Sequence, residues 1–234
     1  MCYDKEKSCR SFFIIIMSTS IRAVIWDLDG VILDSADEHR RAWHRLAEAE
    51  GIAFTDADFW ATFGKRNNDI IPHYWPVSSA EHLQQLADRK ETYFREFVRE
   101  TAAFLPGAEE LMRGLHEAGF AQALATSTPL VNIALIDELL GLSHYLSALV
   151  SGESVVHGKP APDIFLKAAQ ELEVPPGMCL VIEDAVAGVQ AAQAAGMYCI
   201  AVAGERDLPG LRAANLMVRD LTEVDIERIR ALIR

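Results

Sequence analysis

The periodicity of apolar and polar positions differs between the two halves of the chain. In the first half, a short apolar run at residues 21–26 predicts a strand, and residues 37–100 have helical periodicity. The pattern there predicts a helix over 37–51, another from about Thr55 and a longer one from about Ser78, where a capping-box pattern begins. The first half therefore consists of one strand followed by an uninterrupted set of predicted helices.

In the second half, short continuous apolar runs alternate with helical segments. The apolar runs predict strands at residues 120–125, 146–150, 178–182 and 198–202. Helices are predicted around them at residues 109–118, 129–140, 162–172 and 185–195, and from about Thr222. Continuous apolar strands separated by helices of this length are typical of a parallel sheet that helices cover on both faces.

These elements define the expected architecture. The fold class is α/β, with a doubly wound, Rossmann-like parallel-sheet core and an inserted all-helical cap. We expect the core to comprise residues 20–36 and 101–234 and the cap to comprise residues 37–100. The two short crossings, near residues 34–37 and 102–106, are expected to act as hinges.

Residues 1–19 precede the first periodic element and are expected to form an extension outside the fold. Their apolar run at 12–16 is shorter than the hydrophobic region of a signal peptide, and it is far too short to cross a bilayer. A start of translation at Met17 would be consistent with this pattern. We therefore expect a cytoplasmic protein.

The charge balance narrows the range of partners. The chain has 34 acidic and 22 basic residues and a formal net charge of −12. Such a charge repels nucleic acids and anionic membrane surfaces, so neither is expected as a partner. An anionic substrate would have to be attracted by local cations, a metal ion or backbone N–H groups. Nothing in the sequence requires more than a monomer.

The cysteines Cys2, Cys9, Cys179 and Cys199 form no closely spaced pair. Cys179 and Cys199 lie in apolar runs that predict buried strands. Reduced, structural thiols are the expected state in a cytosolic protein, and a disulfide between Cys179 and Cys199 is the alternative.

Four polar clusters lie where predicted strands end or helices begin, which is where open α/β sheets bind ligands. In chain order they are Asp27-x-Asp29, Thr126-Ser127-Thr128, Lys159 and Glu183-Asp184. The acidic clusters supply the hard oxygen ligands that Mg²⁺ prefers, and the lysine adds a positive charge. Thr126 and the N–H groups after it open a predicted helix and form a candidate anion site.

Each cluster also has a purely structural explanation. An Asp-x-Asp-Gly sequence at the end of a strand often forms only a turn, and Lys159 can be solvated. Glu183 and Asp184 can cap the next helix, as can Thr126. Four coincidences in this order are much less common than one, which favours the functional interpretation of the set.

Four segments resemble the signature motifs of the haloacid dehalogenase superfamily, in the order found in that family. They are Asp27–Ser35, Thr126-Ser127, Gly158–Asp163 and Ile182–Gly188. The resemblance covers about residues 21–234. The helical insert after the first motif resembles the subgroup that contains β-phosphoglucomutase and many small-molecule phosphatases.

The resemblance implies a role for each of these residues. Asp27 would attack phosphorus and form an aspartyl-phosphate. Asp29 would protonate the leaving oxygen and later deprotonate water or an acceptor hydroxyl. Thr126 and Ser127 would bind the phosphoryl group, and Lys159 would neutralise charge beside the nucleophile.

The resemblance also implies a bound Mg²⁺ ion. Its ligands would be Asp27, the carbonyl of Asp29, Glu183 and Asp184. Gly30 is a further candidate for the substrate site, because it permits the backbone conformation that a strand-to-loop reversal beside a ligand requires.

The cap supplies three candidate substrate-binding residues, His39, Arg66 and Lys90. His39 resembles a cap-to-core proton sensor of β-phosphoglucomutase, and Arg89-Lys90 resembles its cap lysine region. A partly buried helix histidine is the ordinary explanation for His39. The mutase pattern has an arginine where Asn67 aligns, with Arg66 or Lys65 as the nearest substitutes.

These observations favour hydrolysis over transfer. A mutase must hold the second phosphate of a bisphosphate intermediate, a task that suits arginine better than asparagine, whereas a phosphatase needs only water. We therefore expect a Mg²⁺-dependent phosphatase that acts on a small phosphorylated metabolite such as a sugar phosphate, with β-phosphoglucomutase activity as the alternative. A dehalogenase is disfavoured because that branch lacks the acid/base partner that Asp29 provides. A non-catalytic binding protein on the same fold stays open.

Overall fold

The computed structural model describes residues 20–206 and 208–232. The strands in this part of the chain are β1 (Ala23–Trp26), β2 (Ala121–Thr126), β3 (Ala148–Ser151), β4 (Cys179–Glu183), β5 (Tyr198–Val202) and β6 (Leu216–Val218). They form one parallel sheet in the order β3-β2-β1-β4-β5-β6. The first strand is central and the chain builds outward from it in both directions, which is the doubly wound arrangement expected from the sequence.

Helices follow the strands and also fill a long insertion. Those of the described residues are α1 (Ala36–Glu50), α2 (Asp56–Thr62), α3 (Asn67–Tyr74), α4 (Ala80–Thr101), α5 (Ala108–Glu117), α6 (Leu130–Leu140), α7 (Asp163–Glu171), α8 (Val186–Ala194) and α9 (Ile226–Ala231). The first four lie between β1 and β2, so the predicted α/β fold class with an inserted helical cap is confirmed. Among the described helices, none has the length and apolar character needed to cross a membrane.

Strand β1 is buried on both faces of the sheet. Val24 and Trp26 join the hydrophobic cluster on one face, and Ala23 and Ile25 join the cluster on the other. All four side chains are completely buried, which is why β1 is a continuous apolar run rather than an alternating one. The polar residues that follow β1 are therefore attached to a firmly packed strand.

The cap has a hydrophobic cluster of its own. Trp43, Phe54, Phe59 and Trp75 form its aromatic part, and the rings of Trp43 and Trp75 lie 5.4 Å apart between centroids. Helices of the cap also pack on the core, because Ala42, Phe94 and Val98 join the hydrophobic cluster on one face of the sheet.

The start of α4 differs from the prediction by one residue. Its capping side chain is Ser79, whose Oγ accepts a hydrogen bond from the N–H of His82 at 3.0 Å. Ser78 lies one residue earlier, and its Oγ contacts the ring of His82 instead. The predicted capping box at Ser78 is therefore wrong, because the adjacent serine is the one placed to meet the first free N–H groups.

The sequence pattern missed two short elements, α3 and β6. The first contains Pro72, a residue that normally interrupts a helix, and the second has only 3 residues. The last helix begins at Ile226 rather than near Thr222, because residues 221–223 first form a 3₁₀ turn.

Cys179 and Cys199 are free, buried thiols on the neighbouring strands β4 and β5. The expectation of reduced thiols is confirmed for this pair, and the alternative of a disulfide is wrong. Burial raises the pKa of the Cys179 thiol to about 11, which makes it a poor nucleophile. Cys2, Cys9 and the predicted extension at residues 1–19 lie outside the described residues.

Candidate active site

The candidate site lies where β1, β2 and β4 end. Trp26 on β1 lies opposite Ile182 on β4, and the N–H of Asp27 donates to the carbonyl of Ile182 at 3.0 Å. Asp27, Thr126 and Glu183 are buried at this edge, with exposures of 4%, 1% and 0%. The parallel register therefore brings together side chains that are far apart in the sequence.

Lys159 reaches the same edge from the loop before α7. Its Nζ donates to Asp27 Oδ1 at 2.8 Å and to Glu183 Oε1 at 2.5 Å. Burial by itself lowers the pKa of a lysine, but the two carboxylates outweigh burial and hold the pKa of Lys159 above its usual value. The site therefore contains a lasting positive charge beside Asp27.

Three carboxylates converge next to this ammonium group. Oxygen atoms of Asp27, Glu183 and Asp184 lie within 4.8 Å of one another, and Asp184 Oδ1 is buried without a hydrogen-bond partner among the described residues. Burial raises the pKa of Asp27 well above its usual range; Lys159 opposes this shift and the neighbouring carboxylates add to it. Burial, and then Glu183, raise the pKa of Asp184 to about 7. A divalent cation would offset this crowding, and a set of carboxylate oxygens fits Mg²⁺.

The two acidic residues after β4 are held in different ways. Glu183 Oε2 accepts hydrogen bonds from the N–H groups of Asp184 and Ala185, both at 2.7 Å. Its carboxylate therefore holds the turn that precedes α8, while its other oxygen faces Lys159. Asp184 Oδ2 accepts a hydrogen bond from Arg206 at 2.8 Å, which leaves Oδ1 as the oxygen available to a metal ion.

Gly30 forms the turn that follows the two aspartates. Its φ is +78°, and its N–H donates to the carbonyl of Leu33 at 2.8 Å. The structure places Gly30 directly against the Asp184 carboxylate. Its predicted contact with substrate stays a prediction.

Asp29 is held by donors from three segments of the chain. Ser35 Oγ donates to its Oδ1 at 2.5 Å, Thr128 Oγ1 donates to its Oδ2 at 2.5 Å, and His39 Nε2 lies 3.1 Å from Oδ1. Burial alone would raise the pKa of Asp29, but His39 and these hydrogen bonds hold it below its usual range. Asp29 is therefore a carboxylate, in contrast to the raised pKa of Asp27.

His39 connects Asp29 to Lys90. Its Nδ1 lies 2.7 Å from Lys90 Nζ, and its ring stacks on Phe94 with 4.0 Å between centroids. A lysine ammonium carries only donors, so Nδ1 must accept and Nε2 carries the proton that faces Asp29. The two predicted cap residues thus converge on Asp29, and their predicted contact with substrate stays a prediction.

Thr126 and Ser127 lie in the turn after β2. Thr126 Oγ1 accepts a hydrogen bond from the N–H of Thr128 at 3.2 Å, and Ser127 Oγ donates to the carbonyl of Gly64 in the cap at 2.9 Å. Because α6 begins only at Leu130, the predicted anion site lies in the turn before the helix rather than in its first turn.

Arg66 connects the cap to the loop after β3. Its Nε lies 2.8 Å from Asp69 Oδ2, and its Nη1 donates to the carbonyls of Gly152, Val155 and Val156 at 3.4, 3.3 and 3.3 Å. Arg66 is not among the residues that line the cavity around Asp27. Its predicted role in binding substrate stays a prediction.

A cavity of about 50 Å³ lies between the sheet edge and the cap. Asp27, Asp29 and Thr126 line its core side. The cap side combines apolar residues with polar ones, namely Trp43, Phe59, Phe63, Ile70, Lys65, Asn67, Lys90 and Glu91. The cavity therefore offers polar groups and aromatic surface next to the candidate nucleophile.

Three side chains that shape the site were missed from the sequence: Ser35, Thr128 and Glu91. The sequence indicated a role only for the backbone N–H of Thr128, but its hydroxyl donates to Asp29. Ser35 meets Asp29 because the loop after β1 folds back on itself. For Ser35 and Thr128, a hydroxyl group within or next to a motif could have indicated a role in the site. Nothing in the sequence indicated a role for Glu91, because a charged residue on a predicted helix is usually solvated.

The fold and the site together define the class of protein. A doubly wound parallel sheet carries clustered carboxylates and a lysine at the ends of its central strands, beneath an inserted helical cap. Ligands of such sheets bind at this edge. The protein has an α/β fold whose candidate site lies between the core and the cap.

Comparison with known proteins identifies the family. The model of haloacid dehalogenase-like hydrolases matches residues 21–196. Over 216 residues the chain is 33% identical to beta-phosphoglucomutase of Bacillus subtilis, a match that spans 88% of this chain and 93% of the relative. It is 31% identical over 207 residues to hexitol phosphatase A of Escherichia coli, spanning 88% and 94%. The chain belongs to the haloacid dehalogenase-like hydrolases, as the motifs indicated.

A solved structure supports the same relationship. The crystal structure of beta-phosphoglucomutase from Clostridium difficile superposes with a TM-score of 0.82 at 29% identity, covering 91% of this chain and 96% of that one. The similarity includes the cap as well as the core, since nearly the whole length of both chains is matched.

Proposed function

We propose that this enzyme is a Mg²⁺-dependent phosphatase that hydrolyses a small phosphorylated sugar or polyol through a phosphoryl group on Asp27. The observation that carries the proposal is the convergence of three carboxylates, from Asp27, Glu183 and Asp184, beside a buried ammonium group. Their oxygen atoms lie within 4.8 Å of one another, and Lys159 Nζ lies 2.8 Å from Asp27 Oδ1. Such a set can hold a divalent cation and a phosphoryl group next to a carboxylate nucleophile.

The core residues fit a magnesium site. Asp27, Glu183, Asp184 and the carbonyl of Asp29 would hold the ion, and the unpartnered Oδ1 of Asp184 is an oxygen that the described residues leave available for it. Bound Mg²⁺ supplies positive charge for the phosphoryl oxygens and for the crowded carboxylates. Lys159 adds a fixed cation 2.8 Å from Asp27 Oδ1.

In the first step, a carboxylate oxygen of Asp27 attacks phosphorus while the bond from phosphorus to the leaving oxygen breaks. Asp29 is a carboxylate before substrate binds, and it takes up a proton that arrives on the phosphate monoester. It gives this proton to the leaving oxygen, so the alcohol leaves neutral. Thr126 and Lys159 bind the phosphoryl oxygens, whose charge is spread in the transition state. These residues therefore act by positioning and by charge stabilisation.

In the second step, water attacks the phosphoryl group and the bond to Asp27 breaks. Asp29 is then a carboxylate, the form in which its lowered pKa holds it, and it accepts the proton from water. His39 Nε2–H, 3.1 Å from Asp29 Oδ1, orients the carboxylate during this transfer. Inorganic phosphate leaves and Asp27 is regenerated.

The substrate class rests on the cavity and on the relatives. The small cavity adjoins a polar cleft of about 440 Å³ between the cap and the core, and Asn67, Glu91, Ser127 and Pro129 line both. A polyhydroxylated leaving group suits polar groups mixed with the aromatic surface of Trp43 and Phe59. One relative is named as a hexitol phosphatase and another as a fructose-1-phosphate phosphatase, which supports the same class.

Contacts in the loop after α2 favour hydrolysis over transfer to a second sugar. Arg66 is engaged with Asp69 and with core carbonyls, and Asn67 donates to Glu91 at 2.6 Å. Both side chains are engaged in contacts within the chain, which makes them less suited to hold a second phosphate. The second candidate is β-phosphoglucomutase activity, which is favoured by the contact between His39 and Asp29 and by the 33% identical mutase relative.

We further propose that residues 37–100 move as a cap against a core formed by 20–36 and 101–234. The hydrophobic cluster that lies within residues 43–87 supports this division, while Phe94 and Val98 of α4 pack on the core cluster. Closure would exclude bulk water from the phosphoryl group and bring His39 and Lys90 to Asp29.

A panel of sugar phosphates, hexitol phosphates and small alkyl phosphates tests the proposal. The purified chain is assayed with Mg²⁺ for released inorganic phosphate and for isomerised sugar phosphate, with the Asp27→Asn variant prepared in parallel as the blank. Phosphate release in large excess over isomerisation supports hydrolysis. Isomerised sugar in excess would instead support the mutase, and no turnover of any compound would overturn both.

A further inference from the structure

Glu91 is a buried carboxylate that the proposed chemical steps leave without a role. It is 4% exposed, and its oxygens accept hydrogen bonds from Lys90 Nζ at 2.8 Å, Asn67 Nδ2 at 2.6 Å and Asn132 Nδ2. These partners lie on α4, α3 and α6. One carboxylate therefore joins two helices of the cap to one helix of the core.

The contact with the core is specific in its orientation. Asn132 is completely buried, and Arg95 Nη1 donates to its Oδ1 at 2.9 Å while its Nδ2 donates to Glu91. A guanidinium only donates and a carboxylate only accepts, so the Asn132 amide fits in one orientation. Glu91 and Arg95 are one turn apart on α4, so movement of this helix along α6 would break both bonds.

On its other side, Glu91 faces the acid/base group through two side chains. It accepts from Lys90, which is 2% exposed, and Lys90 Nζ lies 2.7 Å from His39 Nδ1. Because the Lys90 ammonium group can only donate, His39 Nδ1 must accept. The ring proton of His39 is therefore on Nε2, the nitrogen that faces Asp29. The orientation of Lys90 therefore determines which His39 nitrogen meets the catalytic carboxylate.

We propose that Glu91 is a positioning residue that holds Lys90 against His39, and so fixes the His39 tautomer that serves Asp29, only while α4 is seated on Asn132 of α6. This inference rests on the proposed function, because it concerns the proton transfers of that site. It makes the fit between cap and core a condition for the acid/base step.

The first test compares two glutamates on α4. Glu91→Gln keeps the shape and one acceptor but removes the charge that holds Lys90, so kcat for phosphate release should fall about tenfold. KM should change less than kcat, because glutamine keeps the size of the side chain and one acceptor oxygen at the cavity wall that Glu91 lines. The matched control is Glu96→Gln, which removes an exposed contact to Arg45 at 2.5 Å and should leave both constants unchanged.

A double-mutant cycle separates positioning from general support of the fold. Asn132→Ala is the second variant, since Asn132 reaches His39 only through Glu91 and Lys90 in the part of the chain that the structure describes. It should lower kcat in the same way as Glu91→Gln. In a His39→Ala background, each substitution should change kcat by less than about twofold. Full, additive losses in that background would overturn the proposal.

A third measurement does not depend on turnover. In the wild-type chain, the ¹⁵N signals of His39 should show an unprotonated Nδ1 and a protonated Nε2, and both Glu91→Gln and Asn132→Ala should shift them towards a mixture of tautomers. Unchanged signals, or the opposite tautomer in the wild type, would overturn the inference. If the wild type releases no phosphate, the proposed function fails while these signals still decide the role of Glu91. If Glu91→Gln does not fold, Asn132→Ala carries both tests.

Discussion

Gly30 and Asp184 are so close that a Cβ atom on Gly30 would lie 2.0 Å from Asp184 Oδ2. The first motif therefore packs its turn directly onto the carboxylate of the last motif. Because Asp184 is completely buried in this position, it cannot move away without disturbing β4 and α8. The absence of a side chain at residue 30 is a condition for the geometry of the candidate metal site.

Gly30→Ala is expected to weaken magnesium binding. The new methyl group displaces Asp184, and losses of about 10- to 100-fold in metal affinity are typical when the support of a ligand is removed. Calorimetric titration with Mg²⁺ measures the effect. Gly51→Ala is the matched control, since Gly51 also has a positive φ of +65° but a Cβ there meets nothing within 4 Å among the described residues. Equal loss of affinity in both variants would contradict the prediction.

Asp27→Asn is expected to abolish turnover while the fold stays intact. The amide nearly preserves the shape of the side chain and can still accept from Lys159, but it is a poor nucleophile. Phosphate release and the thermal unfolding curve are measured together. The control is Asp56→Asn, an exposed aspartate at the start of α2, which should retain normal turnover. Activity of Asp27→Asn near that of the wild type would contradict the covalent mechanism.

Asp29→Asn should separate chemistry from metal binding. We expect kcat to fall about 10²- to 10⁴-fold, because the general acid and base is lost. Magnesium affinity should change little, since the proposed ligand at this position is the backbone carbonyl. Steady-state kinetics measures the change in kcat, and calorimetry on the same preparation measures the magnesium affinity. Normal kcat combined with lost affinity would reverse the two roles.

The core of the site was predictable from the sequence because its residues sit inside continuous motifs at strand ends. Asp27 directly follows the apolar run of β1, and Glu183 ends the apolar run of β4. The parallel register of these two strands brings the two residues together. No detail of side-chain packing is needed for that step. The same rule placed Thr126, at the end of β2, beside them.

The cap side of the site was less predictable, because its contacts depend on how helices from separate segments meet. Glu91 is buried only because α3 and α6 cover it with Asn67 and Asn132, which are polar residues without a motif. Arg66 and Lys65 are adjacent, and the sequence does not distinguish the one that leaves the cavity from the one that lines it. The sequence therefore predicts that the cap has charged side chains, but not which of them point into the cavity.

Metal removal tests the cofactor directly. Chelation with EDTA should abolish phosphate release and Mg²⁺ should restore it, and Asp184→Ala should raise the magnesium concentration needed for half-maximal rate by about tenfold or more. Asp88→Ala, which removes an exposed contact to Gln84 at 2.8 Å, is the control and should keep the wild-type requirement. Undiminished activity in chelator would refute the magnesium assignment.

The last prediction distinguishes two neighbouring cations of the cap. Lys65 lines the cavity around Asp27 and forms no ion pair among the described residues, whereas Arg66 is engaged with Asp69 and with core carbonyls. Lys65→Met should therefore raise KM for a sugar phosphate about tenfold, the loss of about 1.4 kcal/mol of binding, without changing stability.

Arg66→Met should mainly lower stability, whereas Lys65→Met should mainly raise KM. Loss of its charge-assisted hydrogen bonds should lower the free energy of unfolding by about 1.5–3 kcal/mol, while KM changes less than in Lys65→Met. Urea unfolding and steady-state kinetics on the two variants give the comparison. A larger rise in KM for Arg66→Met than for Lys65→Met would show instead that Arg66 turns into the cavity when substrate binds.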